Sequence, residues 1–243
     1  PGGLTGPEVI TLNRNQSTIH FVANAQVNVG GNVNIGPVGN VQIEFPANSN
    51  DFYVTANDGT YDLTNVENGN YENIDFDAEP LVDPNVKYDT DRINVNVSAQ
   101  PSTVNATGVL DAYDGWIDLT VTQVDANAMA DFNDLSAQLY FVTVAGGEVP
   151  YGTAEPIGAD KVHPFTVPPS KPDTLVSGSR LHYWEIRLTG TGFENTISVP
   201  IDVNPNVRTP ISVPVNTTPT APAGLGLTTS AGQFVASWTA VPA

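Results

Sequence analysis

The sequence contains no cysteine and very few basic residues. Its 243 residues include 26 Asp and Glu against 8 Lys and Arg, which gives a formal net charge of −18. Without cysteine, the chain has no disulfides, no thiolate zinc site and no thiol nucleophile, although this absence does not fix the compartment. Binding to phosphate backbones requires clustered Lys and Arg, so we expect no nucleic-acid partner.

Long apolar runs and strong helix formers are also scarce. No run of about 18 apolar residues occurs, and no charged-then-apolar leader opens the chain, so we expect no membrane insertion. Met occurs once, and Lys and Arg are rare, which predicts little helix. The 21 Gly and 20 Pro, together with abundant Asn and Thr, are instead typical of a β-rich, turn-rich chain.

Period-two alternation, broken by Gly, Pro and Asn, predicts an all-β fold of two serial sandwiches. The first β-sandwich or meander unit is expected over residues 1–100, and a second, Ig-like β-sandwich unit over 107–204, with the boundary at 99–108. The quasi-repeat from Gln26 to Glu44 favours a meander over a β-helix, with a hairpin turn at Gly30-Gly31. The predicted strands are 8–12, 17–22, 52–55, 60–64, 71–76, 92–98, 116–124, 138–144, 180–188 and 196–203, with a short helix or structured loop at 125–135.

Residues 205–222 are rich in Pro among Val, Thr and Asn. Pro fixes φ and removes a backbone donor, so this stretch predicts a stiff, extended linker. The Pro-rich stretch 164–172 is likewise not expected to form a central strand.

The chain ends on apolar and Pro residues whose spacing resembles the opening of a fibronectin type III module. The residues that carry this resemblance, between about 220 and 243, are Pro222, Leu225, Leu227, Trp238 and Pro242. The resemblance implies that 223–243 supplies the first strands of such a sandwich, which has roughly seven. Two strands cannot close a core, so we expect a longer modular protein, in which modules of this kind are spacers or binding units.

No catalytic constellation is apparent in the sequence. His20, His163 and His182 are far apart and form no zinc motif, and strand patterns favour interstrand or partly buried roles for His20 and His182. Gly178-Ser179 matches only the start of a nucleophile elbow. We therefore expect no catalytic residues, no cofactor and no enzymatic activity.

Two groups of carboxylates are the weak candidates for a cation site. Alternation would place the first group on one strand face, whereas the second flanks Tyr113. Hard oxygen ligands suit Ca²⁺, and a carboxylate pair could also serve as acid and base, but solvated acidic loops are expected in a chain this acidic. The candidates are Asp75, Asp77 and Glu79 in the first group, and Asp111 and Asp114 in the second.

Neighbouring aromatics are the candidate contact residues. Adjacent strand residues face opposite sides, so one member of each pair should be core and the other a contact or a cross-strand cover. The candidates are Tyr113, Trp116, Tyr183 and Trp184. Four N-glycosylation sequons, at Asn15, Asn96, Asn105 and Asn216, are weak indications of a secreted surface protein.

Three functional hypotheses follow. The first is a non-enzymatic structural protein of a tailed-phage virion, from the tail, collar or fibre attachment, because Pro1 is typical of a Met-excised cytosolic start and the β units are serial. The alternative is a secreted cell-surface adhesin or extracellular filament subunit. The third is a carbohydrate-binding accessory module, which depends on the aromatics. The expected partners are other protein subunits, as a homo-oligomer or with neighbouring virion proteins, and the expected location is the virion or, alternatively, the cell surface.

Overall fold

A computed structural model describes residues 16–78, 87–98, 101–124, 131–143, 145–172 and 181–218, together with the backbone of 226–230 and 233–237. These residues form strands and one 3₁₀ turn, Phe132–Asp134, so the predicted all-β class is confirmed. In chain order the strands are β1 (Gln16–Asn28), β2 (Asn32–Pro37), β3 (Gln42–Glu44), β4 (Phe52–Val54), β5 (Thr60–Glu67), β6 (Gly69–Asp77), β7 (Asp91–Val97), β8 (Thr103–Asp111), β9 (Gly115–Gln123), β10 (Leu135–Thr143), β11 (Glu148–Pro156), β12 (Val162–Val167), β13 (His182–Gly190), β14 (Thr196–Ile197), β15 (Arg208–Val215), β16 (Gly226–Ser230) and β17 (Gln233–Ser237).

The chain divides into two compact units. Within the described residues, the first unit takes 16–26 and 36–111, and the second takes 27–35, 112–172 and 181–237. The predicted hairpin turn at Gly30-Gly31 is present between β1 and β2, and Gly30 adopts a positive φ of 94°. The predicted strand at 8–12 lies outside the described residues.

The first unit consists of two sheets. β1 pairs antiparallel with β5 and parallel with β8, while the second sheet has the order β4-β3-β6-β7. Every second residue of β1 is buried, as half-buried strands require. Phe21 of β1 meets Phe45 and Phe76 edge-on at 6.0 and 5.9 Å, so the core lies between the two sheets.

The first unit extends further along the chain than the sequence predicted. Residues 99–108 were expected to be a boundary, but β8 occupies Thr103–Asp111 and runs parallel to β1. The physical reason is a close approach: a Cβ at Gly108 would lie only 2.5 Å from the Phe76 ring. Gly108 is therefore a position of close packing within a strand, although the composition of residues 99–108 resembles that of a turn.

The second unit also consists of two sheets, with the orders β11-β10-β13-β14 and β12-β9-β15. Each sheet buries one face, as in a two-layer sandwich. Trp184 is the largest fully buried side chain among the described residues. It packs edge-on against Phe141 and Tyr151, and its Nε1 donates to the Pro168 carbonyl at 2.9 Å.

Much of the predicted Pro-rich linker is an edge strand of this second unit. β15 pairs in parallel with β9, and the Val207 and Val215 carbonyls accept hydrogen bonds from β9 and the residue after it. Odd-numbered residues of β15 therefore turn their backbone groups toward β9, whereas Pro210 and Pro214 turn toward the free edge. A Pro at that edge costs no ladder hydrogen bond, which is why a Pro-rich sequence can form this strand.

The remaining predictions have mixed outcomes. β12 contains Pro164 and is an edge strand, in agreement with the expectation that this stretch is not central. Only Phe132–Asp134 of the predicted helix region forms a helical turn, and 125–130 lie outside the described residues. β16 and β17 form an antiparallel hairpin where two strands were expected. The fibronectin type III resemblance itself stays a prediction.

Candidate functional site

A small cleft lies on the outward face of the β4-β3-β6-β7 sheet in the first unit. Its volume is about 40 Å³, and its lining residues are Gln42, Glu44, Phe52, Asp75 and Asp77. The sheet register brings them together, because Glu44 pairs with both Phe52 and Asp75, and Gln42 pairs with Asp77. Pockets for whole small molecules measure about 300–1,000 Å³, so this cleft fits a single functional group.

Asp75, which lines the cleft, has one paired and one buried carboxylate oxygen. Asp75 Oδ2 accepts from Arg92 Nε and Nη2 at 3.3 and 3.2 Å. Its Oδ1 is buried and has no hydrogen-bond partner among the described residues, while the side chain as a whole is 19% exposed. With Glu44 and Asp77 beside it, the cleft is acidic, and its chemistry suits a hydroxyl, ammonium or guanidinium group.

Two apolar side chains flank the cleft on strand β4. Phe52 and Val54 are 51% and 52% exposed, and Phe52 also lines the cleft. Large apolar groups grouped on a surface beside polar residues are typical of places where another molecule docks.

Only two members of the first carboxylate group, the weak calcium candidate, lie among the described residues. Asp75 and Asp77 do share one strand face as expected, but the guanidinium of Arg92 stands against Asp75. Glu79 lies outside the described residues. Across the described part of the chain, no three His, Asp or Glu side chains gather as a metal ion would require.

In the second carboxylate group, Asp111 makes a hydrogen bond through its side chain and Asp114 through its backbone. Asp111 belongs to the first unit and accepts from Gln26 Nε2 at 2.6 Å. Asp114 belongs to the second unit, where its carbonyl accepts the Asn206 N–H at 3.0 Å. Burial, and secondarily the charge of Asp114, raise the pKa of Tyr151.

The candidate contact aromatics separate by burial. Trp184 is wholly buried, so its assignment as a contact residue is wrong. The alternation of side chains along β13 points the Trp184 side chain into the core. Its neighbour Tyr183 is half-buried on the opposite side of β13. Tyr113 is exposed, and Trp116 is half-buried with the Arg208 guanidinium 5.4 Å from its ring centroid.

The histidines have the structural positions expected of them. His20 pairs with Asp62 of the neighbouring strand at 2.6 Å, and His182 is buried with its Nε2 donating to the Asn34 carbonyl at 3.1 Å. Burial lowers the pKa of His182. None of the described segments is a helix with the length and hydropathy of a membrane span.

Sequence reasoning missed Glu44, Phe52 and Arg92 at the cleft. Gln42 and Glu44 do alternate around a buried Ile43, which is a visible signal for one face of a strand. Their position beside Asp75 depends on the pairing of β3 with β6, and no local pattern encodes that register.

Comparisons with known proteins place few limits on this chain. No family model matches it, and no curated protein matches it. Similar solved structures include the Bacillus anthracis TIE protein, with 14% identity, 84% of this chain and 34% of that chain covered, and a TM-score of 0.32. Two are pilins: GBS52, the minor pilin of Streptococcus agalactiae (11%, 84% and 98%, 0.27), and the shaft pilin spaA of Lactobacillus rhamnosus GG (9%, 85% and 100%, 0.30). The chain thus spans about a third of the TIE protein, and TM-scores this low carry no argument about this chain.

Proposed function

We propose that this chain is a non-enzymatic subunit of an extracellular surface assembly, an adhesin or a filament subunit, which works by docking a partner protein. The observation that carries the proposal is the cleft face of the first unit, where the exposed Phe52 and Val54 stand beside the acidic cleft. Apolar anchors next to a polar rim are the usual anatomy of a protein interface.

The chemistry of the cleft indicates the kind of group it receives. Glu44, Asp75 and Asp77 give the cleft an acidic lining. A Lys or Arg side chain of a partner would complement this lining, and its apolar neighbours would cover Phe52 and Val54. A basic partner also suits a chain with a net charge of −18.

The extracellular part of the proposal is supported by the positions of the sequons. Asn96, Asn105 and Asn216 are all exposed, as glycosylation requires. Synthesis in a host cytosol for a virion would leave these side chains bare, so the virion hypothesis makes the opposite prediction.

Two measurements on material from the native source test the proposal. Fractionation with peptide mapping should recover the chain in a high-mass surface fraction, with glycans on the exposed sequons. Recovery in purified virus particles, bare at Asn96, Asn105 and Asn216, would favour the virion role instead. The Phe52→Ser, Val54→Ser double variant should be lost from the surface assembly, whereas the control Ile197→Ser, 59% exposed on the second unit, should be retained. Full retention of the double variant would exclude the cleft face as the docking surface.

A further inference from the structure

The outward face of the β12-β9-β15 sheet, named here the β9 face, is at least partly exposed to solvent in the described part of the second unit. Ile117, Leu119 and Val121 of β9 are buried, so Trp116 and Asp118 point to the opposite side. The register places Arg208 beside Trp116, and it places Pro164 and Pro210 on either side of Asp118. Val162, 47% exposed, extends the apolar area along β12.

The β9 face is electrically neutral in a strongly acidic chain. In these three fully described strands, Asp118 and Arg208 are the only charged residues on the outward side. They pair with each other at 2.6 Å, and the net charge of the face is therefore zero. Two chains that each carry −18 meet with the least repulsion where their surfaces are neutral. Trp and Arg are also the residues most enriched at interface hot spots.

Pro residues hinder strand addition at both edges of this sheet. Val121 N–H donates to the Lys161 carbonyl, so Pro164 turns its ring nitrogen away from β9, as Pro210 does on β15. Pro on an edge strand prevents pairing with another chain. Self-association through an extra strand is therefore disfavoured here, whereas contact between faces is not.

We propose that the β9 face is a homotypic interface, which docks on the same face of a second copy of this chain about a twofold axis. In such an isologous contact each patch meets itself, so every i-to-j contact occurs twice. A patch must then be self-complementary, and adjacent opposite charges satisfy this condition. Arg208 of one copy lies against Asp118 of the second copy, and the reverse pair forms across the axis. Both side chains are accessible, at 62% and 33% exposed.

Trp116 and the flanking Pro rings supply the apolar part of this contact. Arg208 already lies over the Trp116 ring, with its guanidinium carbon 5.4 Å from the ring centroid, so both side chains are held in place before docking. Side chains that are ordered in advance lose little entropy on association. Truncation of Trp116 to Ala is therefore expected to weaken self-association about tenfold or more.

Charge reversal tests the twofold geometry on the purified chain, independently of the proposed function. Asp118→Arg makes both charges of the face positive, and Arg208→Asp makes both negative. Each variant alone should be monomeric in sedimentation velocity at concentrations where the wild type is dimeric. An equimolar mixture of the two variants should form a heterodimer, because the positive face then meets the negative face. The matched control Glu72→Arg makes the same charge change on the first unit and should leave the dimer intact.

Two results would overturn the inference. One is a wild-type chain that stays monomeric across the concentration series, a measurement that needs no variant to fold. The other is a mixture of the two folded charge variants that remains monomeric, since a twofold contact through Asp118 and Arg208 requires that they associate. Circular dichroism on each variant confirms that it is folded.

Discussion

Replacing Gly108 by Ala should destabilise the first unit, because β8 passes too close to the core for a side chain. A Cβ at this position would lie 2.5 Å from Cγ and Cδ1 of Phe76, well inside the ~3.5–4.0 Å of ordinary carbon contacts. Phe76 is fully buried and meets Phe21 edge-on at 5.9 Å, so its ring has little room to move. Overpacking of this kind costs about 1–3 kcal/mol. Ala regains about 0.5–1 kcal/mol relative to Gly in a strand, so the middle of the two ranges gives an expected net loss of about 1 kcal/mol.

Urea unfolding measures this loss directly. With a slope of about 2 kcal/mol per molar urea, the midpoint should fall by about 0.5 M. Gly69→Ala is the matched control in the same unit, because its Cβ would meet only the Tyr71 ring at an ordinary 3.8 Å; its midpoint should not fall. Adding Phe76→Leu should make the combined loss smaller than the sum of the single losses. An unchanged midpoint for Gly108→Ala would refute the packing of β8 on Phe76.

Three further predictions concern the second unit. Burial lowers the pKa of His182 below its ordinary 6.5, so the unfolded state binds more protons than the folded state as the pH falls. The free energy of unfolding should therefore be constant with respect to this group above about pH 6.5 and should decrease as the pH falls below it. Urea midpoints measured across pH should lose this dependence in His182→Gln. Trp184→Phe should lower the free energy of unfolding by about 2–4 kcal/mol in thermal or urea unfolding, because it leaves the Pro168 carbonyl unpaired and opens a cavity. Ser170→Ala should cost about 1–3 kcal/mol and speed hydrogen exchange at the Val203 amide, which donates to the buried Ser170 Oγ at 2.9 Å; unchanged exchange would contradict this role.

Local pattern was sufficient for strands whose two faces differ. Ile117, Leu119 and Val121 alternate with polar residues, and β9 follows this alternation with its apolar side buried. The same pattern predicted β4, β5, β6 and β7 within a few residues. Period two alone decides which side chains share a face, so it needs no knowledge of the neighbouring strand.

Two strands with distant partners, β8 and β15, were not predicted. β8 pairs with β1 although Ile19 and Val104, which are partners, lie 85 residues apart. β15 was predicted to be a linker because Pro210 and Pro214 suggest broken structure, and only the free edge of the sheet makes them acceptable. Composition indicates which structures a residue type disfavours on average. Pro is nevertheless tolerated at the free edge of a sheet, because no ladder hydrogen bond is lost there.

The candidate site divides in the same way. Alternation placed Asp75 and Asp77 together, but Arg92 and Phe52 reach them through the register of β7 and β4. That register also decided the chemistry, because it brings the Arg92 guanidinium against Asp75. Likewise, the sequence suggested Trp116 and Trp184 equally, and burial separated them.

The sequence by itself determined the all-β class, the scarcity of helix, the strongly negative charge and the faces of the alternating strands, because these depend on composition and on neighbours two residues apart. Only the tertiary structure decided that Thr103–Asp111 belongs to the first unit, that Arg208–Val215 is an edge strand, and that Asp118 and Arg208 form a neutral pair on the β9 face. These features depend on strand pairings between distant residues, and the free energy that selects such pairings comes from the whole core.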